Sequence, residues 1–322
     1  MVTKITKASY QVSSINGEML VVVVNEKDLS SINKKGDLKK PSLSTINAAS
    51  SGALAIYLKR RAYKASPGAS CVFNAAAPYG LVVVYGAPSD AGNQFEYLEY
   101  MRNLGDFIVN TAKVYGCKKV SLVATELNLK SSEAGYALGE GLILGGYSFE
   151  QYKGKKKTEV SLGELQLLTS ESIDTKSITQ GQVIAQSTCA ARDIVNMPPS
   201  DCTPSYLAGV AKKVAKQRKL AISVFGYKDL KKMGAGGLLG VSAGSDEEPF
   251  LIRMVLKPKK KTKRVIGLVG KGVTFDSGGL SIKPSSGMED MKCDMAGAAA
   301  VLFAMDAIAQ LDPHVEVRVY IP

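Results

Sequence analysis

Two runs in the first half of the chain are apolar at every position: Met19-Leu-Val-Val-Val-Val24 and Leu81-Val-Val-Val-Tyr85. They are β-branched and too short for a core helix, so they read as strands buried on both faces. Val120-Ser-Leu-Val-Ala124 is a weaker strand candidate. Residues 45–62 have helical spacing. So do residues 95–114, where Leu98, Met101, Leu104, Ile108 and Ala112 make one apolar face. Strands alternating with helices predict an α/β domain with a largely parallel sheet.

The pattern lapses into lysines and polar residues at 153–164, which predicts a boundary. Residues 1–160 then form an N-terminal α/β domain and residues 161–322 a second one. In the second, a long helix over 178–195 stops at Asn196-Met-Pro-Pro199, because proline cannot continue the ladder. Thr203-Pro204 reads as the cap and first residue of a helix reaching Arg218. A strand at 221–225 and a helix at 227–233 follow, with Gly236, Gly237 and Gly240 predicting a turn. Residues 250–257 and 264–269 read as strands joined by a basic loop, as a hairpin or neighbouring pair. An alanine-rich helix from Met295 to Leu311 and a strand at 315–321 close the chain.

Composition narrows the function classes. Hydrophobic content of 45% and charged content of 22% are those of a soluble globular protein. No apolar run reads as a bilayer span, and no signal or transit peptide is visible, so a cytoplasmic location is expected. Five scattered cysteines without a CxxC pair favour reduced thiols. With a single histidine, His314, paired-imidazole metal sites are excluded, and no nucleophile motif accompanies it. His314 reads as a loop residue before a strand. The net charge of +12 admits nucleic acid as a partner. Part of the excess is local, at Lys153 and Lys155 to Lys157, and at Lys257, Lys259 to Lys261, Lys263 and Arg264. No aromatics interleave with these lysines, so solvated loops are the favoured reading. The glycines Gly139, Gly141, Gly145 and Gly146 do not have dinucleotide-loop spacing and read as helix packing and a helix end.

Candidate chemistry concentrates in Val269-Gly-Lys-Gly-Val-Thr-Phe-Asp-Ser-Gly-Gly-Leu-Ser-Ile-Lys-Pro284 and Met291-Lys-Cys-Asp-Met-Ala-Gly297. Lys271 follows a strand end, where open α/β sheets bind ligands. Gly270 and Gly272 are expected to let the backbone turn sharply and leave Lys271 projecting. Asp276, Lys283 and Asp294 follow, the last near a helix start. Such a group can hold divalent metals through oxygen, form an ion-pair network, or bind an anion. Spacing alone puts ion pairing slightly ahead of metal binding, because a lysine ligates only when its pKa is strongly depressed. Cys293 reads as packing.

These two segments resemble the cytosolic, two-metal leucyl aminopeptidase family. The resemblance extends to Ala191-Arg-Asp-Ile-Val-Asn-Met-Pro-Pro, Thr203-Pro204, Glu140-Gly-Leu-Ile-Leu and Tyr147-Ser-Phe-Glu-Gln-Tyr-Lys153, and so covers the chain from about residue 134 onward. It implies a C-terminal α/β catalytic domain with a mixed central sheet. It also implies release of N-terminal amino acids, preferably leucine, by a water activated between two divalent ions, zinc or manganese. Asp276 matches the bridging carboxylate, Lys271 and Asp294 match ligands of one metal, and Lys283 matches the lysine that polarises the scissile carbonyl. Met291 resembles a wall of the pocket for the first side chain. The family's further Asp-x-Glu pair, and an arginine holding bicarbonate, have no match in residues 1–322. The domain is therefore expected to be C-terminally incomplete, with little activity of its own. A homohexamer is implied for the complete protein. The alternatives are a DNA-binding role or a non-catalytic assembly relative.

Overall fold

The structure is a computed structural model. It describes residues 4–11, 14–15, 17–30, 38, 40–75, 80–89, 92–125, 127, 129–154, 161–259 and 262–322. Lys155 to Lys157, Lys260 and Lys261 of the two basic runs lie outside the described residues. The chain forms two compact units, Met1–Ala185 and Gln186–Pro322.

The first unit is built on six strands: β1 (Lys4–Ala8), β2 (Met19–Val24), β3 (Ser70–Asn74), β4 (Leu81–Gly86), β5 (Lys119–Val123) and β6 (Glu164–Leu168). Their order is β1-β6-β5-β2-β4-β3. All neighbours run parallel except β3, which is antiparallel to β4. The apolar run of β2 is buried throughout, because the sheet is covered on both sides. Met19, Val21 and Val23 face one core with α4 (Gln94–Tyr115) and α5 (Ser132–Leu144). Leu20, Val22 and Val24 face the other, with α2 (Pro41–Ala49) and α3 (Ala53–Arg60). A short helix, α1 (Glu26–Ser30), follows β2.

Two sequence expectations change here. The helix predicted over 45–62 is two helices, because Ser51 (φ 51°) and Gly52 (φ 82°) leave the right-handed region between α2 and α3. The polar boundary expected to run to Glu164 instead gives way to β6, whose Leu165, Leu167 and Leu168 are fully buried. The glycine cluster packs helices, as expected: a Cβ on Gly141 would overlap the carbonyl oxygen of Arg102 on α4. Asn93 caps α4 by accepting from Glu96 N at 3.0 Å.

The boundary between the units falls within α6 (Thr175–Asn196). The second unit carries α7 (Pro204–Arg218), β7 (Ala221–Phe225), α8 (Tyr227–Lys232), α9 (Gly236–Ser242), β8 (Leu251–Leu256) and β9 (Val265–Val269). They are followed by α10 (Ser285–Met288), a 3-10 turn at Glu289–Cys293, α11 (Ala296–Leu311) and β10 (Glu316–Ile321). The sheet is mixed, in the order β7-β8-β10-β9. β10 runs parallel to β9 and antiparallel to β8. β8 and β9 are thus not neighbours. β10 takes the place between them because its alternation buries Val317, Val319 and Ile321. The glycines at 236–240 lie in α9 rather than a turn.

Among the described residues, one stretch, Ser285–Leu311, is long and apolar enough for a bilayer span, contrary to the sequence reading. It comprises three elements, and Ala298, Leu302 and Met305 of α11 pack in the core of this unit.

Candidate active site

The site begins where β9 ends. Gly270 N donates to Tyr320 O (3.0 Å) and Gly272 N to Pro322 O (2.9 Å), which extends the β9–β10 pairing into the loop. Ala298 N donates to Lys271 O (2.9 Å), fastening the same loop to the first turn of α11. The two glycines are required for close approach and not for a turn: neither has a positive φ. A Cβ on Gly270 would overlap Gly297 O, and one on Gly272 would lie 2.6 Å from Pro322 O. Lys271, held by its backbone on both sides, projects with 58% of its side chain accessible.

Lys271 Nζ lies 2.8 Å from Asp294 Oδ1 and 2.7 Å from Oδ2. Asp294 sits between the 3-10 turn and α11, 17% accessible. Its Oδ2 is buried and accepts no well-directed hydrogen bond, because Lys271 satisfies hydrogen-bond geometry only toward Oδ1. Asp276 forms the second pair. Its Oδ1 accepts from Gly278 N (2.9 Å), and Lys283 Nζ lies 3.2 Å from its Oδ2. Gly278 (φ 90°) and Gly279 (φ 72°) make the left-handed turn that returns the chain, and Lys283 N donates to Ser277 O (2.9 Å) to close it.

The electrostatics tie the two pairs together. The hydrogen bond to Asp294 raises the pKa of Lys271, and the charges of Asp294 and Asp276 add to the effect. The Gly278 N–H lowers the pKa of Asp276, followed by Lys283 and the charge of Lys271. In the ion-pair state Lys271 is therefore held protonated, the reverse of what ligation demands. Cation binding would have to be linked to loss of that proton.

Four of the five predicted site residues, Lys271, Asp276, Lys283 and Asp294, thus form two ion pairs that sense each other. Met291 stands half-buried on the 3-10 turn that ends beside Asp294. Cys293 Sγ donates to Asp290 O (2.8 Å), in keeping with a structural thiol. His314 is in the loop before β10. Sequence reasoning missed Lys292, whose Nζ reaches Asn196 O (3.5 Å) and ties the turn to the end of α6. The charged Lys next to Met291 was the only signal. Among the described residues no three His, Cys, Asp or Glu side chains cluster as a metal site. The donor set is two carboxylates and an amine. The sheltered, under-used Oδ2 of Asp294 fits a cation, because it is an acceptor with spare capacity.

Residues 189–322 match the family described as cytosol aminopeptidase family, catalytic domain. A probable cytosol aminopeptidase of Desulfotalea psychrophila is 38% identical over 232 residues, 70% of this chain and 46% of that protein. Residues 189–322 belong to the catalytic domain of the cytosol aminopeptidase family. The fold agrees. A mutant of tomato leucine aminopeptidase superposes with a TM-score of 0.81 at 25% identity, over 99% of this chain and 62% of that one. The bottromycin maturation enzyme BotP, in complex with Mn, gives 0.73 at 27% identity, over 95% of this chain and 59% of that one. The chain spans about half the length of the curated relatives it matches. Family membership covers the segment that carries all five predicted site residues.

Proposed function

We propose that the protein to which this chain belongs is a metal-dependent aminopeptidase that releases N-terminal residues from peptides. The observation that carries the reading is the gathering of Asp276 and Asp294, each against a lysine, at the carboxyl end of β9 inside a cytosol aminopeptidase domain. Asp276 is assigned as the carboxylate shared by two divalent ions, and Lys271 and Asp294 as ligands of one of them. Bound divalent cations supply Lewis acidity and lower the pKa of water. The manganese in BotP makes Mn a candidate alongside Zn.

Lys283 is the electrophile. Its ammonium, anchored by Asp276 in the ion-pair state, would turn to the oxygen of the scissile carbonyl and stabilise the charge that develops there. In the ion-pair state Asp276 thus keeps Lys283 beside the residues that would hold the metal. Met291 is assigned to the wall that receives the first side chain, a flexible apolar surface suited to leucine. We assign the complete protein to the cytoplasm as a homohexamer, with bicarbonate as an added base.

Metal analysis after dialysis against Mn²⁺ or Zn²⁺ tests the ligand assignment. The wild-type chain should retain divalent ion and Asp276→Ala should lose it. Unchanged metal content in Asp276→Ala would overturn the assignment. In the native-length protein, Lys283→Ala should lower kcat on leucine amides by about 10²–10³-fold with metal content intact.

A further inference from the structure

The first sheet ends differently at its two edges. β1 is guarded by Lys4 and Lys7, the usual device against strand addition. β3, at the opposite end, reads Ser-Cys-Val-Phe-Asn and carries no charge. Among the described residues no strand pairs with its outer side. The β3–β4 ladder is flanked by Gly86 N to Ala69 O (2.7 Å) and Ala75 N to Gly80 O (2.8 Å). Antiparallel alternation then sends the N–H and C=O groups of Ser70, Val72 and Asn74 away from β4.

An open cavity of about 480 Å³ lies along this edge. Its lining includes Tyr57 and Arg61 from the α3 end, Tyr115 from the end of α4, and Ser70, Val72 and Asn74 of β3. Arg61 lies over the ring of Tyr57, with Cζ 5.6 Å from the centroid. No acidic side chain lines the cavity among the described residues. Lys59 and Arg60 in the last turn of α3, and Lys64 beyond it, are exposed positive charges next to Arg61 in the chain. Ile56, Val114 and Tyr115 add exposed apolar surface.

We propose that this edge takes up an acidic, extended polypeptide segment as a seventh strand. The outward row of backbone donors and acceptors supplies the pairing, and alternate side chains of the incoming strand meet Arg61 and Tyr57 or Tyr115. The cationic rim selects carboxylates. It also argues against a second copy of this chain, because pairing β3 with its equivalent would oppose arginine and lysine to like charges. Single-stranded nucleic acid would find cations and aromatics here too, but has no use for a row of strand-pairing groups.

The test is fluorescence anisotropy with a labelled, terminally blocked peptide of alternating Glu and Val, titrated with the full chain. Saturable binding that weakens with added NaCl is expected, with no binding of the Lys-Val counterpart. Arg61→Glu should weaken it tenfold or more, with an unchanged circular dichroism spectrum. Peptides N-methylated at odd or at even positions leave the protein untouched, and one of the two registers should lose binding. No binding of the Glu-Val peptide, or equal binding of both N-methylated forms, overturns the proposal. So does displacement by oligothymidylate together with indifference to N-methylation, which would indicate a general polyanion surface.

Discussion

At the scale of single residues, the site depends on what is absent as much as on what is present. Gly272 admits the carbonyl of Pro322 where any side chain would stand. Gly272→Ala should therefore shift the Lys271 loop and cost about 1–3 kcal/mol, an overpacking penalty read as a lower urea midpoint. Unaltered stability and metal retention would show that the loop has slack. The charged residues at 271, 276, 283 and 294 were legible in the sequence as a group. Their pairing was not: Lys271 goes to Asp294 and Lys283 to Asp276, a choice set by the Gly278–Gly279 turn and the 3-10 turn before Asp294. Neither turn has a periodic signature. The need for Gly270 and Gly272 was visible, but its cause was not, since close approach to Gly297 and Pro322 is a tertiary fact.

At the scale of elements, strong periodicity and explicit punctuation were read well. Thr203-Pro204 starts α7, and the Thr203 hydroxyl accepts from Tyr206 N at 3.2 Å. Thr203→Ala should cost about 1 kcal/mol by the same unfolding measurement. Short strands were the weak point. β6 has only five residues after a lysine-rich stretch, and its signal is Leu165, Leu167 and Leu168, which also suit a helix. The structure makes it the strand between β1 and β5, so Leu167→Ala should destabilise the first unit by about 2–5 kcal/mol. A change under 1 kcal/mol would contradict that placement. The order β8-β10-β9 was hidden for another reason. Adjacency in sequence suggests a hairpin, whereas the alternating burial of β10 shows its value only beside both partners.

At the scale of the whole molecule, each unit has its own sheet and core, and the family match falls in the second. That unit leaves Val269, Leu280 and Ile282 exposed at 71%, 109% and 71%, beside the charged loop. Dye binding should report this surface: ANS fluorescence of the folded chain should fall in the Leu280→Ser, Ile282→Ser double variant without a lower melting temperature. The α/β class was within reach of the sequence pattern, because alternating elements constrain architecture more than they constrain strand order, whereas the mixed second sheet was implied only by the family resemblance. In the proposed function Lys271, Asp276 and Asp294 hold divalent metal. Anomalous diffraction from crystals of the chain grown with Mn²⁺ tests it most directly. A manganese peak among the carboxylates of Asp276 and Asp294, with Lys271 released from its pair with Asp294, is the expected result. Lys271 still paired with Asp294, and manganese bound only elsewhere, would contradict it.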